Sequence, residues 1–335
     1  MEILREMIGD ARTAVIVGHI RPDGDCVGSC LGMYNYLSDN YKDMKVRIFL
    51  EPPSGKFSYL KNFDRIEHEL TGDLSPDLCL CLDSSDRERL GTYDILFQRA
   101  KRTVCIDHHI TNGGFAMVNR VEPRASSACE VLFGVLDEKK ISLATAECLY
   151  TGIVHDTGVF KHSNTTGKTM AIAGKLLDMG IDGEKIIDDS FFRKSYVQNQ
   201  ILGRALLESV VFMDGKCIFS AVKAKDMEFY GADSRDLDGI VDQLRVTGGV
   251  ECAIFIYESG VHQYKVSMRA NGDLNVAKVA SYFGGGGHVK AAGCTMTGSI
   301  YDVINNLSVH IERQLKELGI LGGDGRAAGH ENAEA

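Results

Sequence analysis

Carboxylate and imidazole side chains gather at three places in the first half of the sequence, each directly after a short apolar run. The residues are His19, Asp23, Asp25, Asp83, Asp107, His108 and His109. Such side chains bind divalent cations, and the absence of cysteine from this set favours Mn²⁺, Mg²⁺ or Co²⁺ over structural zinc. Two such ions about 3.5 to 4 Å apart can hold the attacking and the leaving oxygen of a phosphoryl group. The residue types therefore favour a phosphoester-cleaving site with two metal ions.

A parallel sheet would bring the three clusters together. The apolar runs are typical of strands, and we place these strands at residues 14–17, 46–50, 78–82 and 103–106. Segments with helical spacing separate them, which predicts an α/β fold whose mainly parallel sheet is flanked by helices. Ligands bind at the carboxyl ends of the strands in such sheets, and all three clusters lie there. Asp156, after a helix predicted over residues 143–154, could complete the group.

Each cluster also has a simpler structural interpretation when it is taken alone. An acidic loop after a strand commonly forms a turn and caps the next helix, and Asp25 stands where such an N-cap is expected. Asp83 and Asp107 could cap helices in the same way, and the two adjacent histidines could be partly exposed loop residues. For His155, packing or solvent exposure is the better interpretation. The shared sheet edge is what favours the metal site.

The second half of the sequence predicts a smaller α/β domain with a mixed sheet. Strands are predicted at residues 210–213, 217–222, 252–258 and 264–268, and helices over 276–283 and 303–318. We therefore divide the chain into a metal-binding domain at 1–190, a linker helix at 191–209, a substrate-binding domain at 210–320 and a disordered tail at 321–335.

A run of four glycines ends the first of these helices. Gly284 suits the helix end, which needs only one glycine. The others can expose backbone amides to a phosphate, and helix-forming residues 289–292 are predicted to follow. The residues expected to contact substrate here are Gly285, Gly286, Gly287 and His288.

The composition of the 335-residue chain limits its function. Lys and Arg number 37 against 46 Asp and Glu, and the resulting net charge of -9 argues against tight binding of long duplex nucleic acid. No apolar run approaches the roughly 20 residues of a membrane span, so no membrane association is expected. The ten cysteines form no Cys-x-x-Cys pair, which is typical of reduced thiols in a cytoplasmic protein.

The order of these segments resembles that of the DHH phosphoesterase superfamily. Its four metal-binding motifs are matched by His19-Ile-Arg-Pro-Asp-Gly-Asp25, the strand-end Asp83, Asp107-His-His109 and the segment that contains Asp156. Downstream, the DHHA1 domain of one subfamily is matched by Gly284-Gly-Gly-Gly-His288 and Ala291-Ala-Gly293. The resemblance runs over nearly the whole chain.

The resemblance implies a role for each matched residue. It assigns six residues to two metal ions: Asp25, His108 and Asp156 to one, His19 and Asp23 to the other, and Asp83 to both. His109 would face the substrate, and Asp107 would orient the metal-bound histidine. In the second domain, Arg269 would bind substrate phosphate through its planar guanidinium group.

These features predict a Mn²⁺-dependent phosphoesterase in which a hydroxide shared by the two ions attacks phosphorus. The resemblance implies short oligoribonucleotides, cleaved to 5′-mononucleotides, or 3′-phosphoadenosine 5′-phosphate, converted to AMP, bound in a cleft between the domains. Linear or cyclic di-adenosine monophosphate is the alternative substrate. A pyrophosphatase or exopolyphosphatase, or a non-catalytic nucleotide-binding module, fits less well, because the glycine run is of the nucleotide type and every matched position keeps its ligand type. The sequence leaves the oligomeric state open, and a homodimer is one of the possibilities.

Overall fold

The computed structural model describes residues 2–322. The chain folds as two units, one ending at Arg193 and one beginning at Lys194. Residues 323–335 of the predicted tail lie outside the described residues. Leu321, which we assigned to that tail, is buried in the core of the second unit. No helix among the described residues is long and apolar enough to cross a membrane.

The first unit contains a six-stranded parallel sheet. Its strands are β1 (Thr13–Val17), β2 (Lys45–Phe49), β3 (Ile66–Glu67), β4 (Leu78–Leu82), β5 (Arg102–Asp107) and β6 (Val118–Val121). Their order is β3-β2-β1-β4-β5-β6, and every neighbouring pair is parallel. The predicted parallel α/β architecture is therefore confirmed. All five residues of β4 are buried, as expected for a central strand covered on both faces.

Helices cover both faces of this sheet. They are α1 (Glu2–Ile8), α2 (Gly24–Asn40), α3 (Asp94–Arg99), α4 (Ala128–Val135), α5 (Leu143–Asp156), α6 (Gly167–Asp178) and α7 (Gly183–Ile187). On one face, Leu31 of α2 and Leu149 of α5 pack with Leu80 of β4. On the other, Leu96 of α3 packs with Cys79 and Cys81. All ten cysteines of the chain lie among the described residues, buried and free of disulfides.

The second unit contains a six-stranded mixed sheet. Its strands are β7 (Val210–Phe212), β8 (Cys217–Val222), β9 (Cys252–Gly260), β10 (Gln263–Ala270), β11 (Gly286–His288) and β12 (Ala291–Thr297). Their order is β11-β12-β10-β9-β8-β7; β8 and β9 are parallel and the other neighbours are antiparallel. The prediction of a mixed sheet is confirmed.

Five helices complete the second unit. They are α8 (Tyr196–Leu207), α9 (Ala224–Tyr230), α10 (Ile240–Arg245), α11 (Val276–Ser281) and α12 (Ile300–Glu317). Helices α11 and α12 pack on one sheet face through residues such as Val279 and Leu307. Helix α8, which we expected to be a linker, buries Ile201 and Ala205 in a core on the other face. It is therefore an integral part of this unit.

The glycine run begins a β-hairpin. Strand β11 pairs antiparallel with β12, and Ala291 and Ala292 also pair with β10. The prediction that residues 289–292 form a helix is therefore wrong. Pairing along the whole of β12 outweighs the helical preference of two alanines, because tertiary contacts routinely override propensity.

Candidate active site

His19 follows β1 and turns one ring nitrogen toward the acidic cluster. Its Nδ1 donates a hydrogen bond to the carbonyl oxygen of Ile20, 2.8 Å away. Its Nε2 lies 3.5 Å from Asp83 Oδ2 and 3.7 Å from Asp23 Oδ1. A histidine whose Nδ1 is fixed by a carbonyl oxygen presents Nε2 in the tautomer that binds metal ions. The geometry of His19 therefore suits metal binding through Nε2.

Asp23 and Asp25 cap two different helices. Asp23 Oδ1 accepts hydrogen bonds from the backbone amides of Asp25 and Cys26 at 3.1 Å, which makes Asp23 the N-cap of α2. The prediction that Asp25 is this cap is wrong, because the helix begins at Gly24. The Asp25 side chain instead accepts from the first amides of α4, with 2.6 Å to Ala128 N and 3.0 Å to Cys129 N.

Asp83 lies between the two imidazoles. Its Oδ2 faces His19 Nε2, and its Oδ1 lies 3.6 Å from His108 Nε2. Oδ1 is buried and accepts no hydrogen bond from any described residue. The backbone of Asp83 is left-handed, with φ 54°. A buried carboxylate oxygen without a partner is costly, so this geometry fits a cation between the imidazoles.

His108 follows β5 and joins Asp25 and Asp156. Its Nε2 lies 3.5 Å from Asp156 Oδ2 and 3.8 Å from Asp25 Oδ2. Ligand atoms from these three residues lie within 4.8 Å of one another. The sequence-predicted set therefore separates into two groups, one around His108 and one around His19, with Asp83 facing both.

Asp107 supports His109, not His108. His109 Nδ1 donates to Asp107 Oδ1 over 2.7 Å, and Asn112 Nδ2 donates to Asp107 Oδ2, also over 2.7 Å. The prediction that Asp107 orients the metal-bound ring of His108 is wrong. His109 and Asn112 occupy the two oxygens of the Asp107 carboxylate, whereas the nearest carboxylates to His108 Nε2 are those of Asp156, Asp83 and Asp25.

The electrostatics of the cluster show a deficit of positive charge. Burial and the neighbouring carboxylate of Asp83 together raise the pKa of Asp156 to about 7. Burial also raises the pKa of Asp25, together with Asp83 and Asp156. Burial would lower the pKa of His19, but Asp23 and Asp83 raise it to about 12. Oxygen and imidazole donors in this state fit hard divalent cations.

His155 lies outside the cluster, as we expected. Its Nε2 is 2.9 Å from Ser190 Oγ, and its ring contacts the edges of Phe57 and Phe191. Burial lowers its pKa to about 4. It is therefore a neutral packing residue.

Three polar residues support the cluster in a way that the sequence did not predict. Asn112 bonds Asp107 and the Ser84 carbonyl oxygen. Asn164 Nδ2 donates to the carbonyl oxygen of Asp156, and Glu130 is a buried carboxylate at the start of α4. For Glu130 a signal existed, since it stands three residues after Ser127 in the spacing of a capping box.

Arg269 and His288 occupy one row of the second sheet. Both pair with Ala291, Arg269 from β10 and His288 from β11, so the two side chains lie on the same sheet face. Arg269 Nε donates to Asp242 Oδ1 over 3.1 Å. His288 is exposed.

Three of the four glycines have backbone reasons of their own. Gly284 has φ 70° where α11 ends. A Cβ at Gly285 would lie 2.2 Å from Gly293 O, and one at Gly287, where φ is 142°, would lie 2.5 Å from Ala291 O. Gly284 and Gly286 both have open space at their Cβ positions, but Gly284 has a left-handed φ, so Gly286 alone of this run has neither reason to be glycine. The argument that three glycines have no structural reason is therefore wrong. Contact of Gly285, Gly286, Gly287 and His288 with substrate stays a prediction.

Comparison with known families gives matches in both units. Residues 13–153 match the model of the DHH family, N-terminal domain, and residues 214–317 match that of the DHHA1 domain.

Relatives and a solved structure resemble the chain over most of its length. The bifunctional oligoribonuclease and PAP phosphatase NrnA of Thermus thermophilus is 30% identical over 89% of this chain and 87% of its own. The protein of the same name from Bacillus subtilis is 25% identical, over 91% and 95%. The crystal structure of an exopolyphosphatase-related protein from Bacteroides fragilis superposes with a TM-score of 0.84 at 25% identity, covering 94% of this chain and 96% of that one.

Proposed function

The chain belongs to the DHH family and carries a DHHA1 domain, and from this premise we propose that it is a Mn²⁺-dependent phosphoesterase acting on short nucleotide substrates. The substrates are oligoribonucleotides of a few residues, 3′-phosphoadenosine 5′-phosphate, or both. The names of the two NrnA relatives support this substrate class.

One observation carries the proposal: Asp83 presents a buried oxygen that accepts no hydrogen bond from the described residues, between the group around His19 and the group around His108. We assign Asp25, His108 and Asp156 to one divalent ion, His19 and Asp23 to a second, and Asp83 to both. When bound, the ions would supply an activated water and would offset the charge that develops on the phosphoryl oxygens.

The remaining residues orient the reacting groups. The hydrogen bond between His109 Nδ1 and Asp107 leaves Nε2 of His109 for a substrate oxygen. Contact between Nε2 and a phosphoryl or leaving oxygen is the arrangement that general acid catalysis requires. In the second unit, Arg269 and His288 share a face and supply two donors for a substrate phosphate.

A phosphodiesterase for linear or cyclic di-adenosine monophosphate is the second candidate. The cyclic-di-AMP phosphodiesterase GdpP of Geobacillus thermodenitrificans is 26% identical over 88% of this chain, although the match spans only 46% of that protein. We place the protein in the cytoplasm, because ten buried cysteines without disulfides suit a reducing compartment.

Product analysis with Mn²⁺ tests the proposal. The panel contains very short RNAs, 3′-phosphoadenosine 5′-phosphate, linear and cyclic di-adenosine monophosphate, and pyrophosphate. We expect 5′-mononucleotides from RNA or AMP from the bisphosphate, with loss of both activities in a chelator. Exclusive turnover of the di-adenosine compounds would favour the second candidate, and turnover of pyrophosphate alone would overturn both.

A further inference from the structure

We propose that Glu130 is a positioning residue that sets the affinity of the metal ion assigned to Asp25, His108 and Asp156. This inference rests on the proposed function. It concerns a carboxylate that contacts neither ion, and it predicts that the two ions respond differently to its loss.

Glu130 is a buried carboxylate with every partner in the first unit. It is 1% exposed. Its Oε2 accepts from Ser126 Oγ at 2.7 Å, from Ser126 N at 3.2 Å and from Thr169 Oγ1 at 2.7 Å. Lys168 Nζ lies 3.4 Å from its Oε1. These donors lower the pKa of Glu130 against the effect of burial, so the side chain is ionised and firmly held.

The network fixes the amides that hold Asp25. Ser127 is the N-cap of α4, and its hydroxyl accepts from Glu130 N at 3.0 Å. The Glu130 carboxylate reaches one residue further back, to Ser126, and ties that residue to α6 through Thr169. The two amides that follow the N-cap, Ala128 N and Cys129 N, donate to the two carboxylate oxygens of Asp25. The orientation of Asp25 therefore depends on where Glu130 holds this turn.

A second branch of the network reaches Asp156. Asn164 Nδ2 donates to Ser126 O at 2.9 Å and to Asp156 O at 3.1 Å. Ser126 is thus connected to the backbone of Asp156 through Asn164, and to the side chain of Asp25 through the turn that begins α4. In the part of the chain that the structure describes, no hydrogen bond of Glu130 or Ser126 goes to His19 or Asp23. The effect of Glu130 should therefore fall on one ion.

Asp77 provides a matched control at the other end of the same sheet. Its Oδ2 accepts from Arg12 N, Thr13 N and Thr13 Oγ1, and Lys101 Nζ donates to its Oδ1. Like Glu130, it combines a lysine, a hydroxyl and backbone amides. It sits where β1 begins, whereas the candidate ligands follow the strand ends.

The test is a calorimetric titration of Mn²⁺ into the metal-free full chain and into the variants Glu130→Gln and Asp77→Asn, with thermal unfolding of each. We expect two bound ions in the parent. In Glu130→Gln one ion should bind about ten- to hundredfold more weakly, the usual cost of losing a supporting residue behind a metal ligand, while the other keeps its affinity. Asp77→Asn should lower the unfolding temperature and leave both affinities unchanged.

The inference would be overturned if Glu130→Gln bound both Mn²⁺ ions as tightly as the parent does. It would also be overturned if Glu130→Gln and Asp77→Asn each lost affinity equally at both ions. A parent chain that binds no pair of Mn²⁺ ions would overturn the proposed function and the inference with it. If Glu130→Gln does not fold, Ser126→Ala gives the same test. It removes one hydrogen-bond donor to the Glu130 carboxylate and should lower the affinity for the same ion, the one assigned to Asp25, His108 and Asp156.

Discussion

Asp83 combines two costly features in one residue. Its backbone is left-handed, and its Oδ1 is buried without a hydrogen-bond donor among the described residues. Both features reduce the stability of a folded chain and persist where the surrounding structure or the chemistry requires them. Asp83 is therefore the position at which a change should separate activity from stability most clearly.

We expect Asp83→Ala to abolish turnover while the chain stays folded. The loss should exceed the roughly hundred- to thousandfold effect of removing one transition-state donor, since both ions lose a ligand. The unfolding temperature in a chelator should stay within a few degrees of the parent, because the removed carboxylate accepts no hydrogen bond at Oδ1 and lies among other carboxylates. Kinetic assays with thermal unfolding measure both. Undiminished hydrolysis by the purified variant would contradict the assignment of Asp83.

The sequence predicted which of these residues lie close together better than it predicted their local contacts. Strand ends brought His19, Asp83 and His108 together because parallel strands share an edge. The choice between Asp23 and Asp25 as the helix cap depends on where the first helical turn begins, and apolar periodicity does not resolve a shift of two residues. Similarly, the partner of Asp107 depends on side-chain direction at a strand end, which spacing alone leaves open.

At the scale of elements, the segment Glu88–Tyr93, which follows β4, supports the position of His19. Ile20 N donates to Arg89 O at 2.7 Å, and Ile20 O accepts from His19 Nδ1. Gly91 has φ 55° and ψ -132°, and a Cβ there would lie 2.6 Å from Ile20 Cγ2. Both a strained backbone and a close contact therefore require glycine at residue 91.

We expect Gly91→Ala to weaken binding of the ion assigned to His19. It should also lower the free energy of unfolding by about 1–3 kcal/mol. The methyl group would displace Ile20, and Ile20 holds His19. Gly72→Ala is the control, because Gly72 has φ 79° with open space at its Cβ position and carries only the backbone strain. Mn²⁺ titration and denaturant unfolding of both variants provide the measurements. Equal Mn²⁺ affinities in the two variants would show that the segment Glu88–Tyr93 does not position His19.

The position of Arg269 beside the hairpin of β11 and β12 leads to a separate prediction. We expect Arg269→Ala to raise KM for nucleotide substrates by about ten- to hundredfold, the usual range for a hydrogen bond to a charged group, with little change in kcat. Arg235→Ala is the matched control, because it removes the same charge from an exposed residue paired with Asp233. Steady-state kinetics compare the two. An unchanged KM for every nucleotide tested would remove Arg269 from the binding site.

Helices and strands were predictable where a clear apolar pattern runs along the whole element. Strands that are defined only by their hydrogen-bonded pairing with a neighbour were missed. Strand β4 was predicted at its observed bounds because every residue is apolar and buried. Strand β3 has two residues and β6 places two exposed residues between half-buried ones, so neither has a period to detect. The hairpin of β11 and β12 was missed because glycine and alanine carry no strand preference, and its pairing with β10 is a long-range effect.

At the scale of the whole molecule, the net charge of -9 restricts the substrate. Even two bound divalent ions leave a total of -9 + 4 = -5. Attraction for phosphate must therefore come from the ions and from a few cations such as Arg269, and each additional phosphate of a longer strand would meet an acidic surface. We infer that binding strength stops rising after the first few nucleotides.

The expected result is a shallow dependence on both salt and length. For single strands, log K falls with log salt at a slope of about -0.7 for each phosphate neutralised. Contact with only two or three phosphates therefore predicts a slope of roughly -1.4 to -2 between about 50 and 200 mM salt. The measurement is kcat/KM for an RNA series of increasing length, with Mn²⁺ held saturating at every salt concentration.

A long single strand in the same assay distinguishes this interpretation from binding along an extended surface. If kcat/KM for the long strand equals or falls below that of the shortest substrates, with the same salt slope, the contacts are confined to a few nucleotides. A slope that steepens with length would require cations outside the ligand groups and Arg269, and would contradict the restriction that we derive from charge. On this interpretation, the net charge of the chain limits the length of the substrate, and individual side chains set the chemistry that it undergoes.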